Sequence, residues 1–138
     1  AISPSNTAAS VSISAKRQSV LNYAAQFLGV PYVYGGSTPS GFDCSGFTMY
    51  VYSQHGYSLP HSATSQWQSG LGARVYSISE LQPGDLVFYP DDGHVGIVGG
   101  RDESGNMLII HCTFSQNNVV ITGLEGFTSI GHPLYYGE

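Results

Sequence analysis

Helix-like and strand-like patterns occupy separate halves of this chain. Val20, Leu21, Ala24, Phe27 and Leu28 fall at helical spacing over Ala15–Leu28, and Gly29 then Pro31 stop the run. A loop dense in Gly, Ser and Pro follows at Tyr32–Phe42. A second helical pattern carries Phe47, Tyr50, Val51 and Gln54 in register and ends at Gly56, with Asp43 at the N-cap position. Ser62–Ser69 reads as a short third helix capped by Ser62. Beyond Gly70 the runs are short, β-branched or aromatic, and divided by turn residues: Leu86–Tyr89, His94–Val98, Met107–Thr113, Asn118–Thr122 and a last strand over His132–Tyr136. Helices first and strands second predict an α+β domain with an antiparallel meander.

The composition fits one such domain. The chain has 138 residues, within the usual size of a single unit, and needs no disulfide or metal to hold a core. Apolar residues make up 41% and charged residues 9%, which excludes disorder and a coiled coil. No apolar run approaches the ~20 residues of a membrane span. The formal net charge of −5 removes the electrostatic basis for binding nucleic acid or an anionic membrane. Ala1–Ser14 carries five Ser and no charge and reads as a flexible linker without the pattern of a signal peptide. The chain is accordingly read as a piece of a longer protein, with residues 15–138 as its domain and a monomer as the default state.

Two cysteines cannot build a disulfide scaffold, leaving one bridge, metal ligation or a reactive thiol. Cys44 follows the presumed cap, so its sulfur lies in the first turn of a helix, where the positive helix end lowers a thiol pKa. The same position also suits a small buried hydrophobe. A nucleophile needs a base, and there are five histidines: His55, His61, His94, His111 and His132. The turn Gly99–Asn106 joins the strands that carry His94 and His111. A hairpin symmetric about Asp102–Glu103 sets these two directly opposite each other, and a one-residue slip would put them on different faces. If His111 faces the site, Cys112 faces away and is core filler, so no disulfide with Cys44 is expected. A metal reading of Cys44, His94 and His111 is disfavoured because the gaps of 50 and 17 residues lack the close ligand pairs of zinc motifs. His61 lines a cleft or sits in solvent; His55 ends a helix, and His132 has no assigned role. No cofactor is called for.

Taken in order, GVPYVYGGSTPSGFDCSGFTMYVY (Gly29–Tyr52), LPHSATSQ (Leu59–Gln66), LQPGDLVFY (Leu81–Tyr89), GHVGIVGG (Gly93–Gly100) and MLIIHCT (Met107–Thr113) resemble the NlpC/P60 family of cell-wall peptidases. The resemblance implies a papain-like α+β fold whose nucleophilic cysteine opens a helix packed on an antiparallel sheet. It implies Cys44 as nucleophile, His94 as base and His111 as the residue that orients the base. Tyr32, Asp43 and Ser45 match positions that line the site in relatives, and His61 stands where relatives often carry Arg. The implied activity is cleavage of peptidoglycan stem peptides, most often between D-γ-glutamyl and a diamino acid (diaminopimelate or lysine), by a secreted protein acting at the cell wall. Two other readings stay open: a catalytically silent wall-binding module, and a related thiol amidase or acyltransferase.

Overall fold

The computed structural model describes residues 15–68, 77–90, 93–124, 126–127 and 131–132. The linker at Ala1–Ser14, the end of the third helical segment at Ser69 and the last strand beyond His132 lie outside the described residues. The order is α1 (Ala15–Ala25), β1 (Ser37–Thr38), β2 (Gly41–Phe42), α2 (Cys44–Ser53) and α3 (Ala63–Gln68), then β3 (Leu86–Phe88), β4 (Val95–Arg101), β5 (Met107–Thr113), β6 (Asn118–Thr122) and β7 (Gly131–His132). The last five strands form one antiparallel sheet in the order β6-β5-β4-β3-β7. The α+β expectation holds. The supposed loop before α2 contains the small β1–β2 hairpin, too short to show a strand periodicity.

Asp43 caps α2 as anticipated. Its backbone is extended and its carboxylate accepts from the Gly46 backbone N–H at 2.6 Å. That satisfies one of the orphan donors of the first turn. Gly46 is required there, because a Cβ would lie 1.9 Å from the Gly36 carbonyl oxygen. The other end of α2 sends Phe47, Val51 and Tyr52, all fully buried, into the core. They meet Val20, Leu21 and Ala24 of α1 and one face of the sheet: Leu86, Phe88, Val95, Ile97, Ile110, Cys112 and Val119. Burial of this kind contributes about 1.5–3 kcal/mol for each large side chain.

The opposite sheet face packs a smaller cluster of Leu81, Val87, Val98, Met107, Ile109 and Phe127. Alternation along β5 therefore divides Met107, Ile109 and His111 from Ile110 and Cys112. Cys112 is core filler, as the alternation predicts. It is fully buried, its thiol donates to the Phe42 carbonyl at 3.1 Å, and both cysteines are free.

One buried ion pair ties the helices to the sheet. Arg17 of α1 donates from Nη1 to Asp85 Oδ1 at 2.8 Å and to the Pro83 carbonyl at 2.7 Å. The second carboxylate oxygen of Asp85 accepts the Gln82 backbone N–H at 2.8 Å. The Tyr52 hydroxyl donates to the Gly84 carbonyl from the other side. The Pro83–Gly84–Asp85 turn is thereby fixed immediately before β3.

Candidate active site

The β4–β5 hairpin departs from the symmetric turn. The strands run on to Arg101 and from Met107, and the Asp102 carboxylate organises the turn by accepting from Ser104 N–H and Asn106 N–H at 2.9 Å each. An irregularity between Val98 and Gly100 then shifts the register, so that Ile97 pairs with Ile110. Continued toward the start of β4, this pairing sets Gly96 opposite His111, and His94 is diagonal to it. The expectation that the two histidines face each other directly is thus corrected by a shift of two residues. Because two is the side-chain period of a strand, both stay on one face. Diagonal neighbours are within reach of ring side chains. His94 Nε2 lies 2.8 Å from His111 Nδ1, with ring centroids 5.0 Å apart. Gly96 matters here: a Cβ would stand 2.6 Å from Ile109 Cγ2 and 3.1 Å from both His111 Cβ and Phe127 Cζ.

His111 is 3% exposed and continues the chain of polar contacts, with its Nε2 2.8 Å from Thr122 Oγ1. Phe127 packs against both rings at centroid distances of 5.3 and 5.0 Å, and Tyr89 packs edge-on against His94 at 4.9 Å. Burial pushes the His94 imidazolium down to about 4. Burial, then the charge of His94, pushes His111 down to about 3. Both rings are therefore neutral near pH 7.

Cys44 and His94 line one cleft of about 390 Å³ together with Tyr32, Tyr89, Gly93, Thr113, Phe114 and Ser115. His111 is not part of the cleft wall and stands behind His94. The backbone N–H groups of Val95, Ser45 and Cys44 near the sulfur favour a thiolate, as the helix start suggested. They do not win. Burial first, and the adjacent Asp43 charge second, raise the Cys44 thiol above its ordinary value. The lowered thiol pKa expected from helix position alone is corrected by these two effects.

The remaining sequence candidates fall into two places. Tyr32 borders the cleft, edge-on to the exposed Phe114 at 5.6 Å, and burial raises its phenol above the usual value. Asp43, Ser45 and His61 form a hydrogen-bonded cluster at the start of α2 and do not line the cleft. His61 Nε2 is 2.9 and 3.1 Å from the two Asp43 oxygens, and Ser45 donates to Asp43 Oδ1 at 3.3 Å. His61 is thus a hydrogen-bond partner of the capping carboxylate and is absent from the wall of the cleft that holds Cys44. Among the described residues no group of three His, Cys, Asp or Glu side chains is placed to hold a metal. Sequence reasoning missed Thr113, Phe114 and Ser115, which reach the cleft through the β5–β6 turn, and missed Thr122. The signal for Thr122 was its place two residues beyond Val120, the β6 partner of His111.

Comparisons with known proteins identify the family and agree with the fold. The chain is 44% identical over 142 residues to the gamma-DL-glutamyl hydrolase of Bacillus subtilis, covering 86% of this chain and 34% of that protein. It is 36% identical over 109 residues to the gamma-D-glutamyl-L-lysine dipeptidyl-peptidase of Bacillus cereus, covering 77% of this chain and 31% of that one. The chain spans between 23% and 34% of the length of these and of the mycobacterial probable endopeptidases that it matches. The crystal structure of the NlpC/p60 domain of the peptidoglycan hydrolase SagA superposes with a TM-score of 0.73 at 32% identity, covering 86% of this chain and 98% of that domain. The family model described as NlpC/P60 matches residues 29–129. A helix that opens on Cys44, an antiparallel sheet that carries His94 and His111, and this match over most of the chain lead to one conclusion: the chain belongs to the NlpC/P60 family.

Proposed function

We propose that this domain is a cysteine endopeptidase that cleaves peptidoglycan stem peptides at the D-γ-glutamyl–diamino acid bond. The observation that carries the proposal is the shared cleft: Cys44 at a helix start and His94 on its wall, with the far nitrogen of His94 held by His111 at 2.8 Å. With Nε2 of His94 engaged, Nδ1 is the nitrogen that receives the thiol proton. Sulfur bonds to the amide carbonyl carbon as that proton passes to His94. The tetrahedral oxyanion collapses, the C–N bond breaks, and His94 returns the proton to the departing amine. Water then adds to the thioester, with His94 as base, and releases the glutamyl carboxylate and the free thiol. The backbone N–H groups around Cys44 are the candidate oxyanion donors.

Tyr32 is assigned to the substrate side of the cleft. Asp43, supported by Ser45 and His61, supplies a negative charge beside Cys44 for the cationic amino end of a stem peptide. With a net charge of −5, the domain gains no attraction from an anionic wall, so targeting is assigned to other segments of the full-length secreted protein.

Digestion of purified peptidoglycan by wild type and by Cys44→Ala, followed by mass spectrometry of the muropeptides, tests the proposal. Fragments ending in γ-glutamyl from wild type alone are expected. Equal products from both proteins would overturn the nucleophile assignment, and products cut at another bond would overturn the substrate assignment.

A further inference from the structure

We propose that Thr122 is a positioning residue that sets the tautomer of His94 through His111, which rests on the reading of His94 as the base. β5 lies between β4 and β6, and His111 has a polar diagonal neighbour on each side: His94 and Thr122. The Thr122 hydroxyl donates to the Gly123 carbonyl at 2.9 Å. A hydroxyl has one proton, so with that proton committed its oxygen meets His111 Nε2, 2.8 Å away, as an acceptor. His111 must then carry its proton on Nε2.

A neutral imidazole holds a single ring proton, which leaves His111 Nδ1 as a lone pair. At 2.8 Å that lone pair accepts from His94 Nε2–H. The proton of His94 is in turn fixed on Nε2, and Nδ1 is bare on the side that must receive the thiol proton. Run in the opposite direction, the two contacts of the His111 ring would take the Thr122 proton away from the Gly123 carbonyl, place the His94 proton on Nδ1 and block it as a base. The neutrality that this chain of contacts requires follows from burial, which keeps the two imidazolium forms down to about 4 and about 3. The other groups packed on the pair are Tyr89, Phe127 and the Cys44 thiol in the same cleft. The thiol is raised and neutral, so it does not reverse the order. Thr122 itself stays outside the cleft wall and has no contact with substrate in this scheme.

The test compares wild type, Thr122→Val and Thr122→Ser. Long-range proton–nitrogen correlation spectra of ¹⁵N-labelled protein read the ring tautomers directly, and turnover of a γ-D-glutamyl stem peptide reads kcat and KM. Wild type and Thr122→Ser are expected to show Nε2–H on both rings. Thr122→Val is expected to lose that preference and about tenfold in kcat, equivalent to ~1.4 kcal/mol, with KM unchanged. A wild-type spectrum with Nδ1–H on either ring overturns the proposal. So does a Thr122→Ser enzyme as slow as Thr122→Val, or a Thr122→Val enzyme as fast as wild type. If Thr122→Val fails to fold, the wild-type and Thr122→Ser spectra decide. Nε2–H on both rings in a protein that cleaves no stem peptide would support the tautomer order and sink the functional reading instead.

Discussion

Lowering the pH from about 8 to about 5 should destabilise this domain through the His94–His111 pair more than through its other groups. In the unfolded chain each imidazole takes up a proton as the pH falls through ~6.5. In the folded chain burial delays uptake until about 4 for His94 and about 3 for His111. Between those limits the unfolded state binds more protons, so stability is present above ~6.5 and is lost as the pH falls toward the folded values. At ~1.4 kcal/mol per pH unit, each group loses roughly 2 kcal/mol by about pH 5. His94 borders the open cleft, where water relieves part of its burial penalty, so roughly 3 kcal/mol is expected for the pair. In a domain of this size that corresponds to a fall in Tm of about 10 °C. Urea unfolding followed by far-ultraviolet circular dichroism, on wild type and on the double variant His94→Asn/His111→Asn, isolates the effect. The other three histidines and the nine carboxylates are common to both proteins and cancel. The Cys44 thiol, raised by its surroundings, stays neutral throughout the window. If the double variant loses as much stability as wild type between the two pH values, the two imidazoles are not held neutral in the folded protein.

Three further outcomes follow from particular contacts. His111→Asn should retain more turnover than His94→Ala, because an orienting amide can replace an orienting ring but nothing replaces the base; the reverse ranking of kcat would refute the division of roles. Gly96→Ala should cost about 1–3 kcal/mol and most of the activity, since its Cβ would press on Ile109 at 2.6 Å and on His111 at 3.1 Å. A normal His94–His111 coupling in the ring spectra of that variant would show that the sheet absorbs the extra methyl. Asp85→Ala should cost about 3–5 kcal/mol in urea unfolding by leaving the Arg17 charge buried without its carboxylate, 5% exposed in side-chain terms. Wild-type stability in that variant would show that the pair adds nothing to the packing of α1 on the sheet.

The element order was legible because periodicity is local. β5 and β6 fall at Met107–Thr113 and Asn118–Thr122 as read from their β-branched runs, and α2 begins where Asp43 can cap it. Register was not legible, because it depends on where a strand admits an extra residue. The irregularity between Val98 and Gly100 lies in a run of small residues, VGG, that gives no side-chain preference for pairing. The face survived the error only because the shift was even. The thiol was misjudged for a related reason: the helix start could be read from the chain, but the burial that outweighs it comes from residues far away in sequence. Thr113, Phe114 and Ser115 escaped notice because nothing local distinguishes a turn at a cleft from a turn in solvent.

The two displaced acid–base equilibria belong together. Burial raises the Cys44 thiol and lowers the His94 imidazolium, so a preformed thiolate–imidazolium pair is disfavoured on both sides. In the proposed mechanism proton transfer accompanies formation of the sulfur–carbon bond, when the negative charge moves from sulfur to the carbonyl oxygen and the backbone donors around Cys44 can receive it. A scheme of this kind depends less on the charge of the resting thiol than on where the His94 proton sits before attack. An imidazole that presents Nδ1–H to the thiol cannot accept its proton, however well the cleft binds the peptide. The proposed order of donors from His94 through His111 to Thr122 and the Gly123 carbonyl keeps that nitrogen free to accept. It also gives His111 a reason to be neutral and buried: a charged ring there would donate from both nitrogens and leave His94 Nε2 without its acceptor.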